Sequence, residues 1–167
     1  MVIVYETERL CLCVFEESHL ESSKQFWGNE EVMVQCNGAS PHDVLLKVIQ
    51  AYRKCHEING LSVYAVKDKE TDEIIGASGF NIVGPLKEVE LIYHFRKSSW
   101  GKGFATEAAN ACLDLAKNNG LVQIVTASAS LENEGSLKIL EKIGFSYKGM
   151  KWFDDTEQEE PYYEYTI

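Results

Sequence analysis

The sequence predicts an α/β chain: a central, twisted, mostly antiparallel mixed sheet of about seven strands with helices on both faces, in the order β-α-α-β-β-β-α-β-α-β-β. Three observations predict it. Residues 9–15 alternate in polarity, three strand-like runs follow one another between residues 61 and 95, and a strand, helix, strand, helix segment occupies residues 87–143. Strands joined by short turns form an antiparallel meander, and the crossover through a helix adds a parallel pair.

Taken in order, Arg9 to Phe15 (RLCLCVF) puts Cys11 and Cys13 on one face and Leu10, Leu12 and Val14 on the other. Ser18 to Trp27 and Asp43 to Ile58 carry helical spacing. Ser18 with Glu21 has the form of a capping box, Val44, Val48, Ala51 and Cys55 make an apolar stripe, and Asn59-Gly60 closes the second helix. Leu61 to Lys67, Glu73 to Val83 and Lys87 to Phe95 read as strands separated by a charged turn and by Gly84-Pro85. Phe104 to Asn119 is the clearest helix, with Phe104, Ala108, Ala111, Cys112 and Leu115 on one stripe and Gly120 as its stop. Gln123 to Ser128 reads as a strand, Asn133 to Ile143 as a helix ended by Gly144, and Phe145 to Phe153 plus Tyr162 to Ile167 as the last two strands.

The 167 residues fit one domain spanning 1–167, and 45% hydrophobic content is enough to bury its core. Sixteen basic against 26 acidic residues give a net charge of −10, which leaves no broad footprint for nucleic acid; an anionic ligand needs a local site. No apolar run reaches the ~20 residues of a membrane span, and residues 1–10 lack the apolar segment of a signal peptide, so a cytoplasmic protein is expected. Five cysteines without paired C-x-x-C spacing read as reduced thiols rather than as disulfides or metal ligands.

The chemistry concentrates at Trp100-Gly101-Lys102-Gly103-Phe104-Ala105-Thr106, where two glycines join a strand to a helix N-terminus. Backbone can approach a ligand closely there, and the unpaired N–H groups favour a phosphate. Two other phosphate motifs fail: Lys102 is followed by Gly103 rather than Ser or Thr, and Thr106 stands where a dinucleotide fingerprint needs its third glycine. Gly76-Ala77-Ser78-Gly79-Phe80 misses the serine elbow of a hydrolase by one position. On its own WGKGFA also fits an ordinary strand-to-helix turn.

It is followed, one helix and one strand later, by Asn133-Glu134-Gly135-Ser136 and Leu140-Glu141-Lys142-Ile143-Gly144-Phe145. Together with the opening TERLCLC, these segments resemble the GNAT superfamily of N-acetyltransferases, in its RimJ/RimL-like branch, over nearly the whole chain. WGKGFATEA is similar to the motif Q/R-x-x-G-x-G/A, and NEGSLKILEKIGF to N-x-x-S followed by E-K-x-G-F. Trp100, Cys13 and Lys97 depart from the family's Gln or Arg, Arg and Pro, without removing any N–H donor of the cradle.

The resemblance implies acetyl-CoA as cofactor, donating an acetyl group to a primary amine in a ternary complex. It implies a site where the strand ending at Phe95 splays from its neighbour, so that Tyr93, His94, Phe95 and Arg96 line the pantetheine arm. Trp100, Gly101, Lys102, Gly103, Phe104, Ala105 and Thr106 would hold the diphosphate, with Arg96, Lys97, Lys102, Lys138 and Lys142 as a positive patch; each lysine alone is equally a solvated face. Leu140 stands where many relatives place a tyrosine acid, so Ser136 becomes the implied proton donor and Asn133 a partner for a pantetheine amide, though both residue types also cap helices. Glu90 is the implied base or else an exposed strand residue, and Asp155 in the acidic run 154–160 is the second base candidate or else part of a solvated loop. His94 lines the cleft. The acceptor is a peptide N-terminus or a small amine. A non-catalytic acyl-CoA-binding module is the alternative, and pairing into a homodimer rests on Tyr162, Tyr163 and Tyr165 alone.

Overall fold

The computed structural model describes residues 1–167. One eight-stranded sheet runs through them in the order β1-β2-β3-β4-β5-β6-β8-β7. Its first strand, β1 (Ile3–Glu6), is the one the sequence pattern missed; it pairs antiparallel with β2 (Leu10–Cys13) through an irregular register. The turn between them is closed twice by Thr7, whose N–H donates to the Leu10 carbonyl at 2.9 Å and whose hydroxyl accepts from the Leu10 N–H at 3.0 Å.

The expected three-strand meander is present as β3 (Val63–Asp68), β4 (Ile74–Asn81) and β5 (Glu88–Phe95), all antiparallel, and β2 joins it antiparallel on β3. β6 (Ile124–Ser128) then lies parallel to β5, and β8 (Gln158–Thr166) inserts between β6 and β7 (Ser146–Phe153). The parallel pairing covers only Glu88–Glu90 against Ile124–Thr126. Past those residues β5 keeps β4 as its neighbour while β6 keeps β8, so the sheet opens between them.

Helices cover both faces. α1 (Leu20–Ser23), α2 (Glu30–Met33) and α3 (Leu45–Asn59) bury Phe26, Trp27, Met33, Leu45 and Ile49 with Cys11, Cys13 and Phe15. α4 (Phe104–Asn119) and α5 (Glu134–Lys142) pack on the other face with Leu12, Tyr64 and Phe80. The predicted alternation of β2 therefore holds, with both of its faces buried. α4 has its expected bounds, buries Phe104, Ala108, Ala111 and Cys112, and ends at Gly120 in the left-handed region.

Three expectations change. The helix expected over 18–27 is a 3-10 turn at Glu17–His19 followed by the single turn of α1, because the Ser23 hydroxyl donates to the Leu20 carbonyl and the chain tightens into turns. The capping box is Glu16 with His19, whose Nδ1 accepts the Glu16 N–H, while Glu21 pairs with Lys24 instead. In α3 the buried stripe runs through Leu45 and Ile49, with Val44 and Ala51 exposed. A 3-10 turn at His42–Val44 precedes the helix and turns Val44 outward.

α5 is fastened to the core mainly by Leu140, which is 1% exposed. Leu140→Ala is expected to cost about 2–5 kcal/mol of stability, read as a lower denaturation midpoint in urea.

Candidate active site

The opening between β5 and β6 defines the site. The Arg96 N–H donates to the Ile75 carbonyl at 2.9 Å, so by the antiparallel alternation His94 and Ile92 also direct their backbone groups toward β4. Leu91, Tyr93 and Phe95 direct theirs the other way: the Leu91 N–H closes the last step of the parallel ladder on Thr126, and beyond it Tyr93 and Phe95 face the gap that β6 has left. The Phe95 carbonyl there accepts from the Trp100 indole N–H at 2.8 Å, which ties the end of the strand to the following loop. Trp100 thus supplies a neutral donor to its own chain.

The loop turns through Gly101 and Gly103, at φ 75° and 79°, a region open to glycine and strained for other residues. Gly103 is the N-cap of α4, and no side chain caps the first amides of the helix. Those amides and the positive end of the α4 dipole are left for an anion.

Side chains alternate along β5 and split the site into two faces. On the α5 face, the Tyr93 hydroxyl lies 2.8 Å from Ser136 Oγ and 3.1 Å from the Ser136 carbonyl. Burial pushes the Tyr93 phenol up to about 12, so it stays protonated at neutral pH. The Asn133 side chain accepts the Ser136 N–H at 3.2 Å: Asn133 does cap α5, while the Ser136 hydroxyl turns to Tyr93.

On the opposite face, Glu90 accepts from the Asn81 side-chain amide at 3.2 Å, and the Asn81 carbonyl oxygen accepts from the Tyr52 hydroxyl at 3.1 Å. Burial raises the Glu90 carboxyl above the usual carboxylate range; the Asn81 bond opposes this, and the charges of Asp155 and Glu160 add to it. His94 takes the Trp27 indole N–H on Nδ1 at 3.3 Å, and desolvation lowers its pKa to about 4. It is therefore a neutral ring with its proton on Nε2, which fits lining rather than base.

These groups border one cavity of about 860 Å³. Among the expected residues it is lined by Glu90, Tyr93 to Phe95, Trp100, Gly101, Gly103 to Thr106, Asn133, Ser136 and Asp155. Arg96 and Lys102 stand outside it. The Arg96 guanidinium reaches Glu73 at 2.9 Å and Ser99 at 3.1 Å, Lys97 pairs with Glu31, and Lys102, Lys138 and Lys142 are exposed without an ion pair. The expected positive patch is thus partly neutralised, and the cavity is lined by no Lys or Arg at all. Tyr163 is 4% exposed, so it packs inside rather than forming a pairing surface.

Sequence reading missed Asn81 and Tyr52, which bear on Glu90 across two elements, the buried Glu160, and the contact of Tyr93 with Ser136. The alternation of β5 was the available signal for the last. The geometry fits acetyl-CoA on three counts: uncapped helix amides behind two left-handed glycines, a strand edge with free backbone groups, and a cavity that joins them.

Comparison with known proteins agrees with that fit. The acetyltransferase (GNAT) domain family matches residues 9–146. An uncharacterised N-acetyltransferase, p20, of Bacillus licheniformis is 32% identical over 151 residues, covering 86% of this chain and 83% of that protein. The crystal structure of a GNAT-family acetyltransferase from Bacillus anthracis superposes with a TM-score of 0.85 at 23% identity, over 99% of this chain and 98% of the other. RimL, a ribosomal L7/L12 alpha-N-protein acetyltransferase, in complex with coenzyme A, gives 0.78 at 16% identity, over 99% and 98%. The open edge of β5 and the glycine cradle are thus parts of an enzyme that uses acetyl-CoA as its acetyl donor, and the chain belongs to the GNAT acetyltransferase family.

Proposed function

We propose that the protein is an N-acetyltransferase of the RimJ/RimL-like branch that acts on a cationic primary amine, either a peptide N-terminus or a small amine, in the cytoplasm. The observation that carries the acceptor class is the charge of the cavity: Glu31, Glu90, Glu132, Asp155 and Glu160 line it, and no Lys or Arg does. RimL, an alpha-N-protein acetyltransferase of ribosomal L7/L12, shares the fold and supports the peptide arm of the proposal. Five free cysteines support a reducing compartment.

Acetyl-CoA supplies an activated thioester when bound. The amides of residues 101–106 hold its diphosphate, and the gap-facing backbone groups of Tyr93 with the Phe95 N–H hold the pantetheine arm as a substitute strand. The same N–H groups near Phe95 stabilise the charge that gathers on the carbonyl oxygen. Because odd and even residues of β5 face opposite ways, the acyl group lies between a proton acceptor and a proton donor. Glu90, held by Asn81 and Tyr52, draws the proton from the amine through water. Ser136 gives a proton to the departing sulfur and is resupplied by Tyr93. Asp155 and Glu160 attract the cationic amine and keep the Glu90 pKa raised.

Free thiol is measured while purified protein and acetyl-CoA meet a panel of N-terminal peptides, polyamines, amino acids and aminoglycosides. Release is expected with a cationic amine; none with any of them overturns the proposal. With the accepted amine, Ser136→Ala is expected to lower kcat by roughly 10²- to 10⁴-fold with acetyl-CoA binding retained. Tyr93→Phe is expected to lower kcat in the same direction.

Glu90→Gln separates the base from its surroundings. Activity of the wild type falls as pH drops through the raised Glu90 pKa, and that limb disappears in the variant. Stability moves the other way. The folded carboxyl holds its proton more tightly than the unfolded one, so the wild type loses stability as pH rises through that pKa and the variant does not. Thermal melts are expected to show Glu90→Gln more stable than wild type at pH 7, with the gap closing toward pH 4.

A further inference from the structure

The hairpin turn between β1 and β2 contributes no group to the cavity, yet its side chains grip the first turn of α4. Arg9 Nε lies 2.7 Å from Glu107 Oε1, and the Arg9 N–H donates to Glu107 Oε2 at 3.0 Å. The Thr7 hydroxyl donates to the same oxygen. Arg9 Nη1 donates to the Lys102 carbonyl at 2.8 Å, and the guanidinium lies 4.5 Å over the Phe104 ring. A Cβ on Gly103 would meet Arg9 Nη2 at 3.4 Å, a van der Waals contact.

We propose that Arg9 is a positioning residue for the diphosphate of CoA: it sets the orientation of the Lys102–Gly103 peptide and neutralises Glu107, so that the cradle presents its amides to an anion. This rests on the reading of residues 101–106 given above. In a planar trans peptide the C=O and N–H point in opposite directions. With the Lys102 carbonyl held toward Arg9, the Gly103 N–H is aimed away from Arg9, to the side where Gly103 borders the cavity.

Charge acts at the same helix end. Glu107 in the first turn complements the helix dipole, but a bare carboxylate there would repel a diphosphate at the same helix end. Partial burial pushes the Glu107 carboxyl up, and the hydrogen bonds from Thr7 and Arg9 outweigh it, so Glu107 is ionised and needs its counter-charge. The guanidinium is the one group that touches both Glu107 and the loop carbonyl. A lysine could keep the charge but could not make that fork.

The test is calorimetric titration of wild type, Arg9→Gln and Arg9→Lys with CoA and, separately, with pantetheine, which lacks the diphosphate. Arg9→Gln is expected to bind CoA about tenfold more weakly and pantetheine as the wild type does, with Arg9→Lys between the two. Equal weakening for both ligands, or an unchanged CoA affinity, overturns the proposal. Full recovery in Arg9→Lys overturns the orienting role. If Arg9→Gln does not fold, Arg9→Lys alone must still show weakening specific to CoA. A wild type that binds CoA no tighter than pantetheine would overturn the cradle itself; a preference that survives in Arg9→Gln removes only the role of Arg9.

Discussion

The separation of β5 from β6 beyond Glu90 and Thr126 is the constraint from which the rest of the site follows. A strand inside a sheet ordinarily satisfies backbone groups on both edges. β5 satisfies one edge through β4, while on the other the Leu91 carbonyl, both Tyr93 groups and the Phe95 N–H have no strand partner, the Phe95 carbonyl being taken by the Trp100 indole. An unpaired buried donor or acceptor costs roughly 1–3 kcal/mol, so several of them in a row make an edge that favours water or a ligand with peptide-like groups. The pantetheine arm has such groups. The opening also lets both faces of one strand reach the same bound molecule, which is how Glu90 and the Tyr93–Ser136 pair can flank a reacting carbon without touching each other.

Electrostatics divide the cavity in a way that composition alone hides. The chain is strongly acidic, and the cavity walls are more so, since they hold five carboxylates and no cation. In the proposed site the diphosphate is assigned to backbone dipoles, since no lysine or arginine lines the cavity. That choice makes the geometry of a few peptide units matter more than net charge. The Arg9–Glu107 pair fits this view. With side chains 42% and 20% exposed, it is worth little as a stabilising ion pair, on the order of 0–1 kcal/mol. Its value lies in what it holds still.

Much of this was legible in the sequence, and the reasons differ by element. α4 could be bounded to the residue because a glycine stands just outside each end and an apolar stripe runs between them. The meander was legible because each strand is bounded by turn residues. The region 17–44 was not, since its helical spacing is broken by turns and 3-10 geometry that side-chain-to-backbone bonds impose. β1 escaped because it is a short edge strand with only partial burial. At the site, the glycine cradle and Ser136 were visible as local motifs. The contacts of Tyr93 with Ser136 and of Arg9 with Glu107 span 43 and 98 residues, and no local pattern encodes such a meeting. The expected lysine patch failed for a related reason: Glu73 and Glu31, distant in sequence, claim Arg96 and Lys97.

Amide hydrogen exchange along β5 and the cradle, with and without CoA, tests the central claim most directly. The account predicts new protection at Tyr93 and Phe95, together with amides of residues 101–106, and none at Leu91, which β6 already holds, or at Ile92 and His94, which β4 holds. Protection spread evenly along β5, or absent from both segments in the presence of saturating CoA, would contradict it.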